Sequence, residues 1–600
     1  MHIKQADFRT IQIEKLSILF RLRYSLYQDG EMRYPESITC RGETVVAYFL
    51  TSTIRDFIAE TAHGFCIERH WTIVPEGNFG LSFCLEIPVD SEVTYLFPGV
   101  HIGKPIPQSI QRSPGERTCY ANGLFLIGKP ESALIFTDPA ASPKEAGSIE
   151  LQRLQHDEEP GFARIELRIP AAGEGAKKGA KKGGGERQFF QSDGQFEYNL
   201  RINIVTASPD QIHRHGISAV LERNKAMLHS PPELSSQSIR DTLSDQTEEC
   251  LKMFLLDRGP LCGLLETKKS NRISSLAGCT LALIHLQSLP EDRDAVELAM
   301  RLADFSLKGQ HPRGQFYPYY WRERQSWIPP DSTIAVPLHQ SIAIALMLLR
   351  IAAVLESKNL PASVYLHAAS HMADSLLQTR QDLAELSNLL HPDSLLSAGP
   401  AAGSPMLVEL FLKLHRITGK DRYRKAVRSL KSNFYPQKPR LLLLLGSENS
   451  AAELDSILAE ARTAVSLDDS GYPVKGLSCY FDALVSRIYL NRPDFDAEFN
   501  PVGGINHALG DPTLLFRGFE LSHTLLTLNA RMNKSSRLEE LNLLIGQLIS
   551  FTLQKPFGTS TFDPDQRKDD RFGVLSSDIW TRELYYMRRL LGEFPEAVHG

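Results

Sequence analysis

The sequence predicts an antiparallel β-sandwich followed by a closed ring of paired helices, and three features carry that prediction. Residues 1–207 are patterned in period two, residues 241–600 in the helical period, and the loops of the second half are irregular and rich in aromatic and polar residues. Period two sends alternate side chains to opposite faces of a strand, so one set enters a core while the other meets water. The i, i+3, i+4, i+7 spacing instead lines one face of a helix.

Taken in order, alternation is cleanest over residues 20–26, 165–169 and 196–204. Further strands are predicted near 8–13, 45–50, 65–74, 81–87, 121–127 and 133–136, about ten in all. Residues 171–187, reading AAGEGAKKGAKKGGGER, hold nothing apolar enough to pack and read as a flexible surface loop between two strands. Residues 208–240 read as a linker. Helices then follow at 246–256, 476–489 and 577–591 and, as pairs, at 274–287 with 294–307, 334–355 with 362–377, and 511–529 with 535–553. Another pair runs through Leu407, Leu410, Phe411 and Leu414 to a glycine cap at Gly419, with Asp421 starting its second member. About twelve helices result. An open solenoid would repeat a regular length, which these do not, so a closed ring with loops crowded at one end is expected.

Composition narrows the classes. Among 600 residues, 42% are hydrophobic and 23% charged, ordinary values for a globular protein. Lys plus Arg number 66 against 71 Asp plus Glu, for a net charge of -5, which argues against a nucleic-acid binder. No run approaches the ~20 apolar residues of a membrane span, and the apolar stretch 16–20 is too short for a signal peptide, so a cytoplasmic protein is expected. The eight cysteines are scattered without a C-x-x-C pair and read as reduced thiols. Neither cofactor nor metal is implied. His367, His371 and Asp374 have a spacing that can hold a metal on one helix, but a solvated face explains them better. Whether the chain forms a homo-oligomer is left open.

The stretch Arg416-Ile417-Thr418-Gly419-Lys420-Asp421-Arg422-Tyr423-Arg424-Lys425-Ala426 resembles the T-G-x-x-x-Y-x-x-A turn between helices of (α/α)6-toroid carbohydrate enzymes. The order of sandwich then toroid is similar to several glycoside hydrolase and phosphorylase families, bacterial glucoamylases and maltose phosphorylases among them. Residues 95–100, YLFPGV, resemble sandwich segments of the same broad group. The resemblance is one of architecture. It implies an (α/α)6 toroid acting on an oligosaccharide, and it transfers no catalytic residue.

Candidate chemistry comes from the residues themselves. Residues 316–327 carry Tyr317, Tyr319, Tyr320, Trp321 and Trp327 beside Glu323, and aromatic planes with nearby charges suit the C–H faces and hydroxyls of sugars. A hydrophobic plug is the structural alternative. Asp331 precedes the helix carrying His339 and Gln340, placed either as a catalytic carboxylate or as a helix cap. Arg517, Glu520 and His523 share roughly one face of an apolar helix, an expensive place for three polar groups unless they are paired or line a cleft. The loop before it supplies Asn506, His507 and Asp511. Asp468 and Asp469, with Tyr472 close by, form a further polar loop.

The leading reading is glycoside hydrolysis. Glu520 or Glu323 would protonate the leaving oxygen, and Asp331 or Asp511 would activate water or attack the anomeric carbon. The aromatic segment, His339, Asn506, His507, Arg517 and His523 would bind substrate. A polysaccharide lyase is the second reading, with Tyr472 or His507 as base and Asn506 or Arg517 facing a uronate. A non-catalytic carbohydrate-binding protein or scaffold is the third.

Overall fold

The computed structural model describes residues 1–15, 18–28, 31–61, 64–74, 79–88, 94–97, 101–103, 123–127, 132–137, 148–154, 162–169, 194–207, 236–288, 291–328, 335–378, 383–398, 405–434, 451–485, 517–532, 545–546, 548–549 and 576–594. The 171–187 loop lies outside them.

The alternating segments form antiparallel strands. In Ile18–Arg23 every second side chain is buried, and in Thr53–Thr61 Ile54, Asp56 and Ile58 point inward while their neighbours face out. One sheet has eight strands and runs in the order His2–Gln5, Thr10–Lys15, Ile18–Arg23, Phe79–Pro88, Phe162–Ile169, Ser148–Leu154, with Leu26–Gln28 and Glu31–Arg33 attached to the side. The other has nine, with Phe196–Ala207 paired along its length to Gly64–Ile73. Phe20, Leu22, Phe65, Ile67, Trp71, Phe83 and Leu85 belong to one apolar core. That core also buries an ion pair: Arg69 bonds both oxygens of Asp56, at 2.7 and 2.6 Å, and the Tyr24 hydroxyl donates to Asp56 Oδ2 at 2.6 Å. The sequence anticipated the strands but undercounted them. It joined Ile18–Arg23 to Leu26–Gln28 and left the short strands between 31 and 48 partly unassigned.

The second half is helical. Its described helices are α1 (Ser236–Phe254), α2 (Ser275–Ser288), α3 (Arg293–Leu307), α4 (Leu338–Ser357), α5 (Ser363–Leu377), α6 (Met406–Thr418), α7 (Asp421–Phe434), α8 (Ala451–Asp468), α9 (Leu477–Val485), α10 (Gly518–Met532) and α11 (Ser577–Glu593). They pack in a cyclic order. Helix α2 lies against α4, α4 against α6, α6 against α8, α8 against α10, α10 against α11, and α11 returns to α2. The others pack on the members of this cycle: α3 on α2, α5 on α4, α7 on α6, α9 on α8 and α10, and α1 on α11.

Sequence explains the two roles. Helix α2 is buried almost all round, as SLAGCTLALIHLQS demands, whereas α3 buries only Ala295, Ala299, Leu302, Ala303, Phe305 and Ser306 on one side. Helix α4 is long and apolar enough to cross a membrane, and most of it is enclosed by its neighbours here.

Two differences from expectation bear on the site. The helix read at 246–256 is α1, which starts at Ser236 and stops at Phe254 because Leu255–Arg258 turns back through Gly259, at φ 61°, onto Leu261–Leu265. Those two strands begin a four-stranded sheet completed by Arg272–Ser274 and Tyr319–Trp321. Gly263 is required in it, since a Cβ there would stand 2.4 Å from Ile273 Cγ2. Helix α8 was not anticipated, although Leu454, Ile457, Leu458, Ala461 and Val465 recur at helical spacing and are buried. The segment 468–475 is the turn that ends it.

Candidate active site

The first turns of the cycle's helices meet. Ser274 caps α2 by accepting from Ala277 N–H at 3.2 Å and donates its hydroxyl to Asp578 Oδ1 in the first turn of α11. The start of α11 is anchored to the small sheet's loop by Ser577 N–H on the Glu266 carbonyl, 2.8 Å. Tyr319 donates to Asp578 Oδ2 at 3.4 Å and also hydrogen-bonds the Gln340 side chain at the start of α4. Gln340 Oε1 is buried without a partner.

One turn along α11, Arg582 reaches Asp455 Oδ1 at 3.4 Å, and Arg517 bonds the same oxygen. His339, exposed at the second position of α4, feels the Asp455 charge. Asp578, Tyr319, Gln340, His339, Asp455 and Arg582 therefore occupy one end of the helical cycle.

Their electrostatics differ in a useful way. Burial pushes the Asp578 carboxyl up, and the nearby Glu266 adds to that, against the opposing hydrogen bonds from Ser274, Ala277 N–H and Tyr319. A shift in this direction is the one a general acid needs. Asp455 stands instead between two guanidinium groups with its side chain half-exposed. Burial, then Asp578 and Glu266, hold the Tyr319 phenol well above its usual range, so it stays a donor. Dense surroundings lower the His339 imidazole against the pull of Asp455.

The aromatic segment divides by strand period. Tyr319 and Trp321 fall on one face of their strand with the Arg272 guanidinium 4.9 and 5.4 Å from their ring centres. Arg272 in turn pairs with Glu266. Tyr320 falls on the other face and packs with Phe305 and Trp327 in a satellite core, so these two aromatics seal the sheet onto α3. Tyr317 is buried with its ring against His311. Glu323 is exposed on the following turn and accepts from Asn271 Nδ2 at 2.5 Å.

Arg517 joins the site through Asp455, but Glu520 lies below it. The Glu520 side chain is 2% exposed and engaged by Arg462 and Arg517, with Arg582 Nε at 3.6 Å. Beside it, burial and the Glu520 charge keep the Glu583 carboxyl well above the usual range, and its Oε2 accepts from Phe519 N–H at 2.8 Å. His523 is farther in, with Nε2 3.0 Å from Glu593 and its ring against Tyr586 and Phe594. Tyr472 packs at the edge of the helical core with Lys431 over its ring. Asp331, Asn506, His507 and Asp511 lie outside the described residues. Asp374 is engaged by Arg422 and Tyr423. Among the described residues no grouping of His, Cys, Asp and Glu is arranged to hold a metal.

Sequence reasoning missed Asp578, Asp455, Glu266 and Arg582. Asp578 reads as an ordinary first-turn aspartate after the Ser576 cap. A usable signal was the i, i+4 spacing of Asp578 and Arg582, which puts both on one face of α11.

No protein-family model and no curated protein matches this chain by sequence. Solved structures similar to it are carbohydrate-active enzymes. A cellobiose 2-epimerase from Spirochaeta thermophila shares 12% identity over 60% of this chain and 98% of its own, with a TM-score of 0.40. A β-1,3-1,4-glucanase from Paenibacillus sp. X4 shares 12% over 61% and 95%, at 0.38. A polysaccharide lyase shares 11% over 96% and 92%, at 0.36. Scores this low carry no inference about reaction or substrate.

Proposed function

We propose that the chain is a glycoside hydrolase whose helical half is an (α/α)6 toroid, with its site where the first turns of α2, α4, α8 and α11 meet. The observation that carries this reading is a pair of carboxyl groups in opposite environments. Asp578 is half-buried with its carboxyl pushed up, and Asp455 is held between two arginines, and glycosidic cleavage needs one carboxyl that gives a proton and one that acts as an anion. Asp578 would donate its proton to the leaving oxygen. Asp455 would activate water or attack the anomeric carbon. Tyr319 would hold the Asp578 carboxyl in place, and Trp321, Arg272 and His339 would meet the sugar ring and its hydroxyls. Asp331, Asn506, His507 and Asp511 remain candidates for the same end.

In this assignment Glu520 and His523 are positioning groups. Glu520 is 2% exposed with both oxygens engaged by guanidinium groups, and Glu323 stands on an exposed turn.

The test is a product assay on a panel of oligosaccharides, followed by new reducing ends and by ultraviolet absorbance. Hydrolysis predicts reducing ends without absorbance. An absorbing, unsaturated product would move the chemistry to elimination, and absence of turnover on every member would favour a binding protein.

A further inference from the structure

One face of the small four-stranded sheet runs from the candidate site to a rim of positive charge. Strand pairing sets Arg272 opposite Trp321 and Ser274 opposite Tyr319, so these four side chains share a face. Ile273 and Tyr320 take the other face and pack on Phe305 of α3. At one end of the first face, Ser274 and Tyr319 both bond Asp578. Trp321 and Arg272 follow two residues along the strands, ~7 Å away. Beyond them lie two turns, 266–271 and 322–325, which are tied together. Arg322 N–H donates to the Asn271 carbonyl at 2.9 Å, and Asn271 Nδ2 donates to Glu323 Oε1 at 2.5 Å.

The charge of this rim runs against that of the chain. Residues 266–272 read ETKKSNR and 321–325 read WRERQ. Lys268, Lys269, Arg272, Arg322 and Arg324 outnumber Glu266 and Glu323 by three, in a chain of net charge -5. Lys268, Lys269 and Arg324 are exposed, and Arg272 and Arg322 partly so. The site behind the rim does not offset the surplus, because Asp455 and Glu520 are already engaged by Arg462, Arg517 and Arg582. Arg272 is the fixed member. It pairs with Glu266, its guanidinium lies against the Tyr319 and Trp321 rings, and 37% of its side chain stays exposed.

We propose that the oligosaccharide is acidic, and that its carboxylate or sulfate groups meet this rim beside the Trp321 ring, a short step from the bond cut at Asp578. Neutral sugars need aromatic faces and uncharged donors, not a surplus of cations. A guanidinium held in place offers a planar fork that matches a carboxylate or sulfate and loses little further freedom on binding. Exposed lysines add little to affinity one at a time, but a patch of one sign steers a ligand of the other toward the cleft. The position of the cleaved bond rests on the hydrolase reading, whereas the acidity of the ligand rests on the rim alone.

Calorimetric titration of the full chain tests this. The ligands are short oligogalacturonate, oligomannuronate and chondroitin sulfate fragments, with neutral cello- and manno-oligosaccharides of matching length. Asp578→Asn serves wherever the parent turns a ligand over. At low salt an acidic fragment should bind at least about tenfold tighter than every neutral one, and sodium chloride should weaken it. The double variant Lys268→Gln, Lys269→Gln, placed on an exposed turn, should bind it several-fold more weakly at an unchanged melting temperature. Arg272→Gln should weaken it further. Preference for the uronates names a carboxylate, and preference for chondroitin sulfate names a sulfate. A neutral sugar bound as tightly as the acidic ones, absence of binding by every acidic fragment, indifference to salt, or affinity unchanged in the double variant would each overturn the proposal. Acidic fragments bound but never hydrolysed would support it and overturn the hydrolase reading.

Discussion

Both halves of the molecule bury arginine, and they do so in opposite ways. In the sandwich, Arg69 and Asp56 are wholly buried and complete: two bonds join them, Tyr24 takes a third position on Asp56, and Arg69 Nη1 donates to the Ser82 carbonyl at 3.2 Å. In the helical half partners are shared between helices: Glu520 takes Arg462 and Arg517, and Asp455 takes Arg517 and Arg582, so three arginines lean on two carboxylates. A closed pair costs desolvation and returns geometry, so it fixes how two sheets face each other. The difference separates a buried pair closed on itself from a network that several helices must assemble together.

The largest effect expected from breaking this contrast is in the sandwich. Arg69→Met strands Asp56 in an apolar core and should cost about 3–5 kcal/mol in denaturant unfolding, the usual penalty for removing one partner of a buried pair. A cost below about 1 kcal/mol would mean that the pair is not closed in the sense described.

The next is a pH effect in the helical half. His523 is held neutral, at about 4 against an ordinary 6.5. Between those values the unfolded imidazole binds a proton that the folded one refuses, so stability is full above about pH 6.5 and falls as pH drops toward 4, by up to about 3 kcal/mol. His523→Leu should flatten that part of the stability curve, and an unchanged slope would show that the ring is not buried neutral. Smallest is Tyr319→Phe, which removes one hydrogen bond to Asp578 and should lower kcat/KM about tenfold on a responsive substrate, with the melting temperature nearly unchanged.

How much of this was legible depends on the physics of each feature. Strands and amphipathic helices leave a periodic trace because each places one face in a core, which is why Ile18–Arg23 and α3 could be read directly. The largely apolar α2 and α4 were also readable, since an apolar run long enough for a helix has few alternatives. Helix α8 was passed over although Leu454, Ile457, Leu458, Ala461 and Val465 keep the helical spacing, because Glu453, Asp455, Glu460, Arg462 and Asp468 dilute its apolar character. The same holds for the site. The triad Arg517, Glu520 and His523 was found as polar groups on an apolar helix, but spacing on one helix cannot tell a cleft from an internal ion network. That distinction needed Arg462 and Glu593, brought in from α8 and α11. In the aromatic segment, residue type pointed to the right strand, and only pairing register separated Tyr319 and Trp321 from Tyr320.

The central claim is that the carboxyl pair at the first turns, not the ion network around Glu520, performs the chemistry. The most direct measurement is kcat/KM for Asp578→Asn beside Glu520→Gln, with melting temperatures, on whichever oligosaccharide the parent cleaves. The account predicts a loss of about 10³-fold for Asp578→Asn with little change in melting, the scale of a lost general acid. For Glu520→Gln it predicts a lowered melting temperature and a smaller loss in rate. Turnover that survives Asp578→Asn but disappears in a fully folded Glu520→Gln would contradict it.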